Sequence, residues 1–119
     1  MPAASPSSTC VRDARAYARQ CCADHRVHGE RCDTIEVVAS ELVGNAVRHG
    51  RPPVVYDITL DEGDLVLNVN DADATPPRAG ADDCPTDAEN GRGLFLINAL
   101  ARDWGWEPTM TGKRIWARI

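Results

Sequence analysis

The stretch that most constrains this chain is Asp33 to Gly50, DTIEVVASELVGNAVRHG. Its apolar residues Ile35, Val38, Ala39, Leu42 and Ala46 recur at three- and four-residue steps, which predicts one helix with a buried stripe. Asp33 or Thr34 is expected to cap its start, because a short oxygen-bearing side chain accepts a bond from the free N–H groups there. Gly50 follows the last periodic residue and suits a left-handed exit turn, and Pro52 and Pro53 bar continuation. Beside the apolar stripe runs a second row, Glu41, Asn45, His49. At about 100° per residue, successive members are displaced by only ~40°. A carboxylate, an amide and an imidazole therefore share one edge of an otherwise buried helix. Such a row is also what an ordinary solvated helix edge presents, so its meaning depends on the rest of the chain.

At 119 residues the chain is expected to be one domain, able to bury roughly two-thirds of its unfolded surface. Its net charge of −5 argues against a nucleic-acid binder held by phosphate contacts. No apolar run approaches the ~20 residues needed to cross a membrane, and MPAASPSSTC lacks the basic segment and apolar core of a signal peptide. A cytoplasmic protein is the expectation. The cysteines Cys10, Cys21, Cys22, Cys32 and Cys84 are odd in number and contain no C-x-x-C pair, so neither a disulfide framework nor a zinc site is indicated. Cys21 and Cys22 read as small hydrophobes on a helix.

In chain order, residues 1–8 are rich in Pro, Ala and Ser and read as a flexible arm ahead of a single domain spanning 9–119. A helix is predicted from about Ser8 to His25, with Val11, Ala14, Ala18 and Cys21 inward and Arg12, Arg15 and Arg19 outward. After the central helix the period changes to two. In VVYDITL, Val54, Tyr56, Ile58 and Leu60 share a face. Asp61-Glu62-Gly63-Asp64 is a turn, with Gly63 supplying the positive φ. The return strand places Leu65, Leu67, Val69 and Asp71 on one face. A buried, unpaired carboxylate is costly, so Asp71 either meets a donor at the strand's end or caps the following turn. Residues 72–90 show no periodicity, which in a compact domain marks a lid or a disordered connection. They end at Gly91-Arg92-Gly93, before a helix carrying Leu94, Ile97 and Ala101. A glycine-rich start to a helix exposes free N–H groups that attract phosphate, although glycine also serves ordinary tight turns. The tail reads as a hairpin with Trp104 and Trp106 in its first arm, Thr111-Gly112-Lys113 at the turn, and Ile115, Ala117 and Ile119 alternating with Arg114, Trp116 and Arg118. The tryptophans read as packing. The assembled expectation is an α/β (α+β) two-layer sandwich: a mixed, mainly antiparallel sheet covered on one face by about three helices.

Three pieces then fit one known pattern. SELVGNAVRHG resembles the N box of the gyrase–Hsp90–histidine kinase–MutL ATPase superfamily, VNDADATPP its first glycine box, and NGRGLFLINAL its second. The likeness runs from about Val11 to Ile119 and is nearest to the small, stand-alone anti-sigma factor serine/threonine kinases. It implies the Bergerat ATP-binding fold, with ATP and Mg²⁺ as cofactors. By the resemblance, Asn45 coordinates the metal, Glu41 polarises the attacking hydroxyl, and Arg48 and His49 lie near the nucleotide. Asp71 accepts the adenine amine, and Gly91, Arg92, Gly93 and Leu94 cradle phosphate, with 72–90 as the nucleotide lid. Two positions depart from the family: Asp73 stands where glycine is usual, and Arg114 where threonine commonly helps the aspartate hold adenine.

The resemblance implies an ATP-binding regulatory protein, an anti-sigma factor kinase phosphorylating an antagonist protein. A sigma factor is its other partner, a homodimer is a further expectation, and neither nucleic acid nor membrane is a partner. The alternative is a nucleotide-binding interaction module with little or no kinase activity, which the two departures favour.

Overall fold

The structure, a computed structural model, describes residues 3–4, 8–75 and 96–119, with side chains from residue 11 onward. The elements in order are β1 (Ala3–Ala4), α1 (Ser8–Asp24), α2 (Glu30–His49), β2 (Val54–Asp61) and β3 (Asp64–Asp71). A helical segment α3 (96–100) follows, then β4 (Asp103–Thr109) and β5 (Gly112–Arg118). The sheet runs β1-β2-β3-β5-β4, and every pairing among the described strands is antiparallel. Within the stretch read as an arm, Ala3–Ala4 pairs with Val54–Val55 as a two-residue edge strand. No helix among the described residues is long and apolar enough to cross a membrane.

The core lies between the helices and one face of the sheet. It joins Ala14 and Ala18 of α1 to Ile35, Val38, Leu42 and Val43 of α2, and to Val54, Tyr56, Leu65, Leu67, Val69, Ile115 and Ala117 of the sheet. Each residue of that set is nearly inaccessible, so removing it from water supplies the main drive for folding, at about 25 cal/mol per Å² of apolar surface. Burial in β3 alternates along its length, and every second residue from Leu65 to Asp71 is buried. In β2 the inward row stops at Ile58, and Leu60 is exposed. The Tyr17 ring of α1 meets Tyr56 edge-on at 5.6 Å, and its hydroxyl accepts a bond from the Ile58 N–H.

Two helix-end expectations are corrected. α2 begins at Glu30, before Asp33, and its N-cap is Gly29 at φ 70°, with no side-chain cap. Glycine enters that left-handed region without a Cβ clash. Asp33 instead lies in the first turn with Glu30, where a carboxylate suits the positive end of the helix dipole. At the other end Gly50 is extended, φ −92° and ψ −162°, and makes no left-handed turn. Glycine is needed there for proximity: a Cβ would come within 2.6 Å of Asp71 Cγ and 2.7 Å of the Ala46 carbonyl oxygen.

The β2–β3 turn follows its expectation, with Glu62 and Gly63 at φ 52° and 85°. The second hairpin does not turn where expected. Thr109 pairs with Gly112, so Met110-Thr111 form the turn and Lys113 is already in β5. Trp104 packs against the core and donates its indole N–H to Asn98, while Trp116 lies across Gly105 on the neighbouring strand. Cys22 is 2% exposed, and burial pushes its thiol up to about 12. It therefore acts as a small hydrophobe.

Candidate functional site

The C-terminal end of α2 and the C-terminal end of β3 meet. Gly50 lies against the Asp71 carboxylate, and the Ala72 N–H donates to the Arg51 carbonyl at 2.9 Å. The junction brings the C-terminus of α2 to the end of the sheet's core-facing row.

On α2, Glu41 and Asn45 are half-buried, whereas Arg48 and His49 are exposed. The helix holds them one turn apart, as the periodicity requires. Asn45 Oδ1 accepts a bond from Arg48 Nη2 at 3.0 Å. The Arg48 guanidinium also lies across Gly44, where a Cβ would sit 3.1 Å from Nη1. Glu41 and His49 make no hydrogen bond or ion pair with another described residue.

At the strand end the chemistry is different. The Asp71 side chain is 1% exposed, and it is paired with the Lys113 ammonium, itself 6% exposed. Lys113 Nζ lies 3.2 Å from Asp71 Oδ1, 3.1 Å from Oδ2 and 3.0 Å from the carbonyl oxygen of Asp73. The ammonium donates to Asp71 Oδ1 and to the Asp73 carbonyl oxygen, and its contact with Oδ2 is that of the ion pair. Asp71 Oδ1 also accepts the Asp73 N–H at 2.8 Å. Both open alternatives for Asp71 are thus realised: it meets a donor and it caps the following turn. Behind it, Gly112 lets β5 pass close to the Asp71 backbone, which a Cβ there would strike.

The register explains why the donor is Lys113. Asp71 pairs with Lys113 across β3 and β5, and Asn70 pairs with Arg114. Side chains alternate across a strand, so Lys113 shares the inward face with Ile115 and Ala117. Arg114 points to the opposite face, where it bonds Glu107 at 2.8 Å and contacts Asn68. Arg114 lies in the last strand as expected but faces away from Asp71, and the residue touching Asp71 is Lys113, expected in the turn. The signal was available: extending the row of Ile119, Ala117 and Ile115 by one more step reaches Lys113 and not Arg114. The second departure, Asp73, turns its carboxylate to the Thr75 N–H at 2.9 Å, and that bond holds its carboxyl below the usual range.

Gly91, Arg92, Gly93 and Leu94 lie outside the described residues, as does the expected lid beyond Thr75. No group of three or more His, Cys, Asp or Glu side chains that could hold a metal occurs among the described residues. A magnesium ion bound mainly by water and nucleotide phosphates would not need such a group. Asn45 offers one hard amide oxygen, and the Arg48 group bonded to it belongs to an exposed residue.

A two-layer fold with a polar-edged helix ending on a buried strand-end aspartate is the arrangement that the resemblance to the gyrase–Hsp90–histidine kinase–MutL ATPases implies. The comparisons agree. Residues 4–119 match the family described as "Histidine kinase-like ATPase domain", and the chain belongs to that family. Among solved structures, it is similar to the histidine kinase domain from the Erythrobacter litoralis EL346 blue-light activated histidine kinase, at TM-score 0.57 and 18% identity. That likeness covers 89% of this chain and 60% of the other, so it is a likeness of fold to part of a larger protein. No curated protein matches the chain.

Proposed function

We propose that the protein is an ATP-dependent serine/threonine protein kinase of the anti-sigma factor type, acting on a hydroxyl of an antagonist protein. The observation that carries this reading is the pair Glu41 and Asn45, half-buried and one turn apart on α2, a helix whose C-terminus abuts Asp71. Asn45 would hold Mg²⁺ together with the nucleotide phosphates, and the ion would supply charge neutralisation at the transferring group. Glu41, with no competing partner among the described residues, accepts the proton of the attacking hydroxyl. Arg48 and His49, exposed on the last turn, are placed to face phosphate once Arg48 leaves Asn45. The sigma factor is the second protein partner, and a homodimer is the proposed assembly.

The test is transfer of labelled phosphate from Mg-ATP to a candidate antagonist. Transfer that disappears in Glu41→Ala and Asn45→Ala supports the kinase; intact ATP binding without transfer to any candidate rejects it. A second reading is favoured by one observation, the Lys113 ammonium seated on Asp71. In it the domain is a nucleotide-responsive interaction module, and Glu41→Ala leaves partner binding unchanged.

A further inference from the structure

The feature that the nucleotide reading does not absorb is the buried ion pair itself. Resting on that reading, which assigns Asp71 to the amine of an incoming base, we propose that Lys113 is the residue that sets base affinity and base choice. It occupies Asp71 as an internal substitute for a base amine, and a 6-aminopurine gains Asp71 only by displacing it.

The argument is geometric. Asp71 Oδ1 is shared by the Asp73 N–H and Lys113, and Oδ2 lies between Lys113 and the backbone of Gly50. With the carboxylate side chain 1% exposed, no face of it is open to a further donor while Lys113 stays. The ammonium is held in turn by the ion pair and by two hydrogen bonds, to Asp71 Oδ1 and to the Asp73 carbonyl oxygen. A base that binds only when Lys113 has withdrawn has its apparent dissociation constant raised by the inverse of the withdrawn fraction. A purine lacking the exocyclic amine has no donor to place on Asp71 and can lie against the intact pair. Lys113 therefore weakens ATP binding and flattens the preference for adenine over an amine-free purine.

The experiment measures dissociation constants of Mg-ATP and the Mg complex of purine riboside triphosphate, on wild type and Lys113→Thr, by calorimetry. Lys113→Thr is expected to bind Mg-ATP at least about tenfold tighter than wild type, and to prefer ATP to the amine-free nucleotide by about tenfold or more. Wild type is expected to bind the two within about threefold of each other. A folded Lys113→Thr protein, judged by its circular dichroism and melting transition, that binds ATP no tighter than wild type overturns the inference. So does a wild type that prefers ATP by more than about tenfold, and that measurement decides the matter if Lys113→Thr does not fold. In either case, binding of both nucleotides leaves the nucleotide reading standing. No binding of either nucleotide by wild type and folded variant at millimolar concentration overturns both.

Discussion

The two ends of β3 carry aspartates in opposite circumstances. At its start, Asp64 takes Arg102 at 2.6 Å and Arg118 at 3.2 Å; Arg102 is 71% exposed, and Arg118 also reaches Asp61. At its end, Asp71 takes one lysine inside the protein. Exposed pairs gain modest Coulomb energy and are screened by salt, so the Asp64 cluster contributes little for each bond. A buried pair gains more from attraction and loses more from desolvation, and its net value against an apolar replacement is near zero. Its removal by halves is another matter, because the surviving charge stays inside. Surface pairs can be exchanged freely, whereas the Asp71–Lys113 pair is a constraint that fixes where β5, α2 and the strand end meet.

The largest effect that would break this contrast is at Lys113. Lys113→Met should lower unfolding free energy by about 3–5 kcal/mol, because it leaves Asp71 buried and uncompensated. Urea denaturation reads this directly. The double variant Lys113→Met, Asp71→Leu should recover most of the loss, since both charges are then gone. A single variant as stable as wild type would show that water reaches Asp71 freely.

Next in size is Gly50→Ala. Its methyl would be placed 2.6 Å from Asp71 Cγ, against a carboxylate that is locked and cannot yield. Overpacking of this kind costs about 1–3 kcal/mol, against near zero for an open site. Gly63→Ala is not a suitable control, because Gly63 has a positive φ. The cost of Gly50→Ala in thermal unfolding, measured once in wild type and once in an Asp71→Ala background, distinguishes a clash with the side chain from one with the Ala46 carbonyl.

At the other end of β3, Arg118→Ala should cost no more than about 1 kcal/mol. The difference from wild type should shrink as sodium chloride is raised, because exposed charges are screened. A loss as large as that at Lys113 would make the two ends alike.

How much of this was open to sequence reading follows from the range of each interaction. Asp71 was placed in the core row by the alternation of Leu65, Leu67 and Val69, since a period of two admits only that face. The stripe of Ile35, Val38 and Leu42 fixed the buried face of α2 in the same way. What failed depended on neighbours distant in sequence. Gly50 reads as a C-cap because its local context is a helix end, whereas its size is dictated by a carboxylate on another element. Gly29 carries no side chain to mark it as a cap, so the sequence points to the short oxygen-bearing side chains of Asp33 or Thr34 instead. Lys113 was lost to a hairpin turn placed one residue late, and at period two an error of one residue exchanges the inward Lys113 for the outward Arg114. The candidate site was legible in Glu41, Asn45 and Asp71, but the partners of Asn45 and Asp71, Arg48 and Lys113, come from folded geometry.

The smallest effect concerns the third carboxylate, Asp73, which tests whether the strand end is set by backbone bonds or by the lysine. The Thr75 N–H is the main cause that lowers its carboxyl, and Lys113 is a minor one. A carboxyl lowered by folding adds stability above the ordinary aspartate range of about 3.9, and that contribution is lost as pH falls through the lowered value. The group lies at the surface, so its share of stability is small and the titration is the better measurement. Carbon-detected NMR of Asp73 should show a midpoint below that of a model aspartate. Thr75→Pro removes both the donating N–H and the hydroxyl and should return the midpoint most of the way, while Lys113→Met should move it only slightly. The reverse order would make Lys113 the organiser of Asp73 as well as of Asp71, and would extend the buried pair's control to the exposed start of the segment that follows β3.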